Sequence, residues 1–330
     1  MKNFLIKFAL FTAFWAILFT IVYIKLPRKF YSRDDYELVT TVHAKIHSNG
    51  LKGNILLGDS KTLYGFNANA AHALNFCMGA ETPIEGYYEL RAILNNPTNK
   101  IDTVFLSYTH RHFISQECFY LNSYYYNVID SKYLDSARAI AASYHDQNYR
   151  YDPGFSLLSL FPTLNTPANN QKKDLIIHFV SGVFNDLPEY YKKKRYANLP
   201  SADNQLRNGR LITYPTDTLK YDRNVPAVDE DMSYIKPSEV NLIYFKKMLA
   251  LCQSHHVPVL FIQMPSLPAK QTPTLNRHIA YLKSLLGRNF IQDTTFYADS
   301  EFRDYYAHLN ANGAKRYQNF FQQKLYHLTK

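Results

Sequence analysis

Cysteine is scarce in this chain: Cys77, Cys118 and Cys252 are the only three among 330 residues. An odd, widely spaced set excludes a framework of several disulfides and a CxxC zinc pair. We therefore predict reduced or buried thiols, which leave the cellular compartment open. A fixed-period repeat is also missing, which argues against solenoids and propellers.

Acidic residues are missing from the first 33 positions, which hold six of the 37 Lys and Arg residues. The rest of the chain carries 31 basic against 27 acidic side chains, a surplus of only four. A mildly basic domain of this kind lacks the phosphate-binding stripe of a nucleic-acid-binding protein, so no nucleic-acid partner is expected. The N-terminal basic cluster can instead meet lipid headgroups.

Charge is absent from the apolar run Phe8–Ile24, FALFTAFWAILFTIVYI. With Lys7 and Lys25 this run reaches about the 20 residues that span a bilayer. A cleaved signal peptide is disfavoured because no A-x-A site follows, and no cysteine follows for lipid attachment. The sequence thus predicts an uncleaved, single-pass signal anchor in residues 1–32 and one domain over residues 33–330. The flanking charges slightly favour a cytoplasmic domain.

Short apolar runs alternate with helical patterns on both sides of a central region that lacks them. Strands are predicted at Asn54–Leu57, Asn75–Gly79, Thr103–Ser107, Val257–Gln263 and Phe290–Ile291. Helices are predicted at Arg33–Ser48, from beyond Ser60 to Leu74, and at Thr82–Leu94, Lys236–His255, Leu275–Leu286 and Ala311–Leu328. This alternation predicts an α/β fold with a parallel sheet between two layers of helices. Residues from about 111 to 235 are predicted to form a long, mostly helical insertion.

Two motifs at opposite ends of the domain carry the chemistry. Gly58-Asp59-Ser60 follows the first buried strand, at the sheet edge where ligands of α/β folds bind. His308 stands just before the last helix in the pattern HLNxxGA. A Gly-Asp-Ser tripeptide alone is a common turn, and His308 alone could be a helix-start residue. Together they favour a serine nucleophile with an imidazole base.

These motifs resemble those of the SGNH/GDSL hydrolases, in particular the membrane-anchored branch that includes DltD-like and alginate-acetylation proteins. The resemblance spans about residues 54–328 and implies a three-layer α/β/α domain outside the cytoplasm. It also implies that Ser60 is the nucleophile, that His308 is the base, and that backbone N–H groups of Ser60 and Gly79 form the oxyanion hole. An acylated cell-envelope polysaccharide is the implied substrate, and a membrane acyltransferase the implied partner.

Two departures from the family pattern bear on activity. The family has an Asp three residues before the His, where this chain has Tyr305; the nearest acid is Asp304, four residues before. Asp304 could still orient His308, or the enzyme could work as a Ser–His dyad. The family also has a conserved-motif Asn after the strand that corresponds to TVFLS. This chain continues YTHRHF there, and Thr109 and His110 are the candidate donors in its place.

Other histidines are not assigned a function by the sequence. His110, His112, His255 and His256 have no accompanying ligands at metal-binding spacing, so we predict solvated or loop side chains. No metal and no cofactor are expected. The main hypothesis is a membrane-anchored ester hydrolase or O-acyltransferase that acts through an acyl-enzyme on Ser60. The alternative is a catalytically inactive, membrane-tethered SGNH-fold scaffold or glycan-binding protein, which the two departures favour.

Overall fold

The computed structural model describes residues 2–25, 36–79, 81–114, 131–146, 236–267, 272–302 and 307–328. The chain divides into two units. Helix α1, Lys2–Lys25, belongs to the first. The elements that follow Tyr36 and are described below belong to the second.

Five strands of the second unit form one parallel sheet. They are β1 (Lys52–Gly58), β2 (Ala73–Asn75), β3 (Lys100–Ser107), β4 (Val259–Gln263) and β5 (Phe290–Gln292). Their order in the sheet is β2-β1-β3-β4-β5, and every pair is parallel. The strand order therefore reverses between β1 and β3, where α/β sheets open a crevice at the carboxyl ends of the strands.

The helices lie between and around these strands. They are α2 (Tyr36–Ile46), α3 (Ser60–Gly65), α4 (Pro83–Leu94), α5 (His110–Ile114), α6 (Ser131–Ser143), α7 (Glu239–Ser254), α8 (Pro273–Leu286) and α9 (Ala311–Leu328). Ser238 caps α7, because its hydroxyl accepts the N–H of Asn241 at the start of the helix.

Helices cover both faces of the sheet. Phe105 of β3 pairs in register with Leu260, one position before Phe261 of β4, so these two phenylalanines point to opposite faces. The Phe105 ring contacts Phe321 of α9, whereas the Phe261 ring contacts Phe245 of α7. The sheet is thus the middle of three layers. The predicted α/β fold is confirmed.

Several predicted boundaries are wrong. The helix after Ser60 ends at Gly65 rather than Leu74, because Phe66 is extended and Asn67 caps a separate 3₁₀ turn at Ala68–Ala71. The second strand is Ala73–Asn75, and the predicted segment Asn75–Gly79 is mostly the loop that follows it.

Other sequence predictions fall partly on residues that are not described. Most of the predicted insertion lies outside the described residues. Of the described helices, α5 and α6 fall in this region. Cys77 and Cys252 are free and buried, as predicted, and Cys118 lies outside the described residues. By length and hydropathy, none of the helices in the described ranges qualifies as a membrane-crossing segment.

Candidate active site

The Gly58-Asp59-Ser60 turn is built by three local requirements at the end of β1. A side chain at Gly58 would collide with the backbone oxygen of Ser107 on the neighbouring strand, so only glycine fits there. The N–H of Asp59 donates to that same oxygen at 3.1 Å. The Asp59 carboxylate then caps α3 by accepting the N–H of Lys61 at 2.9 Å. Ser60 is consequently held as the first residue of α3, half-buried at the sheet edge.

Ser60 and His308 are brought together from opposite ends of the domain. The Ser60 Oγ and the His308 Nε2 lie 2.8 Å apart, although 248 positions separate them in the chain. This is the contact that a serine needs in order to pass its proton to an imidazole. The Tyr64 ring meets the His308 ring edge to face, with centroids 5.1 Å apart, and so packs against the imidazole.

The residues after His308 in the HLNxxGA pattern fix the backbone segment that carries His308. Leu309 is buried, and its Cδ1 would lie 3.4 Å from a Cβ at Gly65, so it packs against the end of α3. The Asn310 side chain caps α9 by accepting the N–H groups of Asn312 and Gly313 at 3.0 and 3.1 Å.

Gly313 in the same pattern is required by close packing. A side chain there would collide with the backbone oxygen of Glu301 and would come within 2.9 Å of Leu309. Asn310 also joins this segment, because its N–H donates to the Glu301 oxygen at 3.0 Å. The pattern therefore has a structural explanation at Leu309, Asn310 and Gly313, which leaves His308 as the member that faces Ser60.

Asp304, the acid proposed for His308, lies outside the described residues. A different acid, Asp59, directly precedes Ser60 in the sequence, but its carboxylate binds other groups. Asp59 Oδ2 accepts the N–H of Thr109 at 2.7 Å and lies 2.8 Å from His112 Nδ1. Asp59 is therefore a structural partner of the segment after β3.

The prediction that His110 and His112 are solvated or loop side chains is wrong. Both are buried in α5, and His112 Nδ1 lies 2.8 Å from Oδ2 of the fully buried Asp59. Burial by itself would raise the pKa of Asp59, but the charge and hydrogen bond of His112, with smaller contributions from Lys61 and Thr109, lower this pKa to about 2. The sequence held one signal for this pair, since β1 and β3 both end in polar residues that a parallel sheet brings to one edge.

Gly79, the second predicted oxyanion donor, follows β2 at the same edge. The preceding residue, Met78, donates its N–H to the Gly58 oxygen at 2.9 Å, which ties this loop to the chain just before Ser60. The loop is further fixed by Glu81, whose Oε2 accepts the Met78 N–H at 3.3 Å and whose Oε1 accepts the Tyr108 hydroxyl at 2.7 Å. The strands thus place the Gly79 loop beside the Gly58-Asp59-Ser60 turn.

Buried carboxyl groups beneath this loop were not anticipated from the sequence. Glu81 is fully buried and Glu89 is nearly so. Burial and then the neighbouring Glu89 raise the pKa of Glu81, while burial and then Glu85 raise the pKa of Glu89. Neither carboxyl oxygen of Glu89 has a hydrogen-bond partner among the described residues. Both carboxyl groups are therefore shifted towards their neutral, protonated forms.

His110 of α5 packs against His278 of α8, with ring centroids 4.8 Å apart. Burial, followed by the neighbouring His110, lowers the pKa of His278 to about 3. Within the described ranges, no three His, Cys, Asp or Glu side chains converge in a way that could hold a metal ion.

Comparisons with known proteins found no relative of this chain. No protein-family model matches the chain, no curated protein matches it, and no solved structure matches it.

Proposed function

We propose that this protein is an SGNH-type serine hydrolase or O-acyltransferase, which acts on ester-linked acyl groups through a covalent intermediate on Ser60. The observation that carries the proposal is the 2.8 Å contact between Ser60 Oγ and His308 Nε2. Supporting it, both residues are half-buried rather than sealed in the core, so a substrate can reach them. They also stand beside the crevice where the strand order reverses.

The proposed reaction has two halves that share one base. Ser60 Oγ attacks the acyl carbon while His308 Nε2 takes its proton, and the tetrahedral intermediate collapses as His308 protonates the departing alcohol oxygen. A water molecule or a sugar hydroxyl then gives a proton to His308 and attacks the acyl-enzyme. The proton returns to Ser60 as the new acid or ester leaves. Hydrolysis and transfer differ only in this second acceptor.

The oxyanion is proposed to be stabilised by backbone N–H groups of Ser60 and Gly79. The hydrogen bonds from Met78 to Gly58 and to Glu81 support this assignment, because they hold the loop that bears Gly79 against the end of β1. Asp304 is proposed to orient His308. If Asp304 does not orient the imidazole, Ser60 and His308 act as a dyad.

The proposal is tested with a fluorophosphonate probe, which labels activated serines. The full-length wild type should be labelled and should hydrolyse 4-nitrophenyl acetate, whereas Ser60→Ala should do neither. Ser143→Ala is the matched control, because Ser143 is exposed at the end of α6 and its hydroxyl donates to the backbone oxygen of Ile140. Absence of labelling and turnover in the wild type would overturn the enzyme proposal. If Ser60→Ala then still complemented a deletion strain, the inactive scaffold would replace it.

Attachment to a membrane through α1 is a second part of the proposal. The large apolar side chains described in α1 are exposed, from 37% to 68%: Phe4, Leu5, Ile6, Phe8, Leu10, Phe11, Phe14, Trp15, Ile17 and Leu18. They surround the helix rather than forming one stripe, and a helix that is apolar all round needs an apolar environment. We propose that lipid provides it, with the domain outside the cytoplasm and an envelope polysaccharide as the ester substrate.

Alkaline carbonate extraction tests this attachment. The full chain should stay in the membrane pellet, and a variant that lacks residues 2–25 should move to the supernatant. Release of the full chain would contradict an integral anchor. In right-side-out membrane vesicles, external protease should digest the domain, and protection would place it on the other side.

A further inference from the structure

A second concavity opens at the carboxyl ends of β4 and β5, apart from the Ser60–His308 pair. Its volume is about 200 Å³. Three segments line it: 263–266 after β4, the first turns of α8, and 292–297 after β5. This volume is below the ~300–1,000 Å³ of sites for drug-sized ligands and suits a single small ring.

The lining combines amide, hydroxyl and carboxyl groups with one exposed aromatic side chain, since the other aromatic residue of the lining, Tyr297, is buried. Gln263, Asn276, Asp293 and Thr294 supply the polar groups. Phe296 supplies the aromatic ring, and 70% of its surface is exposed. None of the lining residues is basic.

Asp293 is held in a fixed position. One carboxylate oxygen accepts the N–H of Thr295 at 2.9 Å, and the other accepts the Tyr297 hydroxyl at 2.8 Å. Each oxygen retains room for a further donor, since a carboxylate offers about four acceptor sites. A ligand with hydroxyl donors is therefore favoured. Arg316 donates to Thr295 beside the cavity, but it is already paired with Glu301, so among the described residues the Asp293 carboxylate leaves a net negative charge that disfavours a phosphate or a uronate.

We propose that this cavity binds one neutral sugar ring of the substrate. Vicinal hydroxyls would pair with the amides and with Asp293, and one C–H face of the ring would stack on Phe296. An exposed aromatic ring beside convergent polar groups suits a ligand that is polar at its edge and apolar on its face. Calling this sugar a part of the ester substrate rests on the proposed function. The prediction that the cavity binds a sugar ring does not depend on it.

The cavity is close enough to Ser60 for one oligosaccharide to reach both. Sheet order places β4 two strands from β1 and β5 three, or roughly 10–15 Å at the usual strand spacing. Met264 links the two places, because it lines the cavity and its Cε would lie 2.7 Å from a Cβ at Gly65 of α3. A chain of a few sugar rings spans this separation.

Binding is measured by calorimetry with full-length Ser60→Ala protein in detergent, so that no turnover is required. The ligands are the neutral cellotetraose and chitotetraose and the anionic tetragalacturonate. At least one neutral tetrasaccharide should bind saturably and more tightly than tetragalacturonate. Phe296→Ala and Asn276→Ala, both at exposed positions, should each weaken that binding by about tenfold. Tyr144→Ala removes another exposed aromatic ring, just after α6, and should change that binding by less than about twofold.

The outcomes separate this inference from the proposed function. No binding of either neutral sugar, equal loss in Tyr144→Ala, or tighter binding of tetragalacturonate would each overturn the sugar site. Sugar binding that depends on Phe296 would uphold it even if wild-type Ser60 failed to react with fluorophosphonate. Reactive Ser60 without sugar binding would leave the esterase proposal standing and remove this inference.

Discussion

At the scale of single residues, neighbouring positions in one motif do separate jobs. Gly58 permits the close approach of two strands, Asp59 caps α3 and binds His112, and Ser60 faces His308. The buried Asp59–His112 pair ties the end of β1 to α5, and thereby ties both sides of the crevice together. Asp59 therefore serves Ser60 by positioning its turn.

A double-mutant comparison tests whether Ser60 and His308 act as one unit. Ser60→Ala, His308→Ala and the double variant should all fall to the same background rate, within about threefold, because losing either member already disables proton transfer and attack. The measurement is the turnover of 4-nitrophenyl acetate by each purified protein. If the fold-losses in turnover of the two single variants multiplied in the double variant, Ser60 and His308 would act independently.

Asp304→Asn in the same series distinguishes a triad from a dyad. A loss nearly as large as that of His308→Ala would assign Asp304 the role of orienting the imidazole. A much smaller loss would leave a Ser–His dyad as the working unit.

At the scale of elements, the sequence predicted the long, regular segments well. The pure apolar runs of β1, β3 and β4 and the whole of α9 were found where the pattern placed them. Shorter features were missed, because Gly65 and the extended Phe66 end α3 one turn after Ser60. The burial of His112 also escaped prediction, since its partner Asp59 lies 53 positions away and only the strand order brings them together.

The segment from His308 to Gly313 offers a test of how α9 positions the imidazole. Gly313→Ala should destabilise the protein by about 1–3 kcal/mol, because the added methyl group must displace the Glu301 backbone or Leu309. It should also slow fluorophosphonate labelling of Ser60, because Leu309 adjoins His308. Urea unfolding and the labelling rate are the two measurements.

Asn312→Ala is the control for this substitution. Asn312 is exposed at a variable position of HLNxxGA, and only its backbone N–H takes part in the cap. Its stability and labelling rate should match those of the wild type, with a stability change within about 0.5 kcal/mol. Equal effects of the two substitutions would show that close packing at Gly313 does not position His308.

At the scale of the whole molecule, the parallel sheet gathers residues from five separate segments at one edge and buries ionisable groups behind them. His278 and Glu89 are both nearly inaccessible, and folding shifts the pKa of each in the direction that favours its uncharged form. Their unfolded forms titrate normally. The stability of the domain should therefore depend on pH through these two residues, with opposite signs.

The pKa of His278 falls from 6.5 to about 3 on folding. Its contribution to stability is thus complete above pH 6.5 and is lost as the pH falls from 6.5 towards 3. His278→Phe keeps a ring against Phe113 and His110 but removes this titration. The variant should gain stability relative to the wild type on acidification, by up to about 1 kcal/mol per pH unit.

Glu89 works in the other direction, because folding raises its pKa above the ordinary value of 4.5. Its contribution is complete below pH 4.5 and is lost as the pH rises towards the folded pKa. Glu89→Gln has nearly the shape of the protonated acid and cannot ionise, so it should gain stability over the wild type as the pH rises from 5 to 8. Urea midpoints of the wild type and both variants at pH 4, 5, 6, 7 and 8 give the two slopes. If Glu89→Gln and the wild type differed by a constant amount across this range, Glu89 would not be buried as a neutral acid.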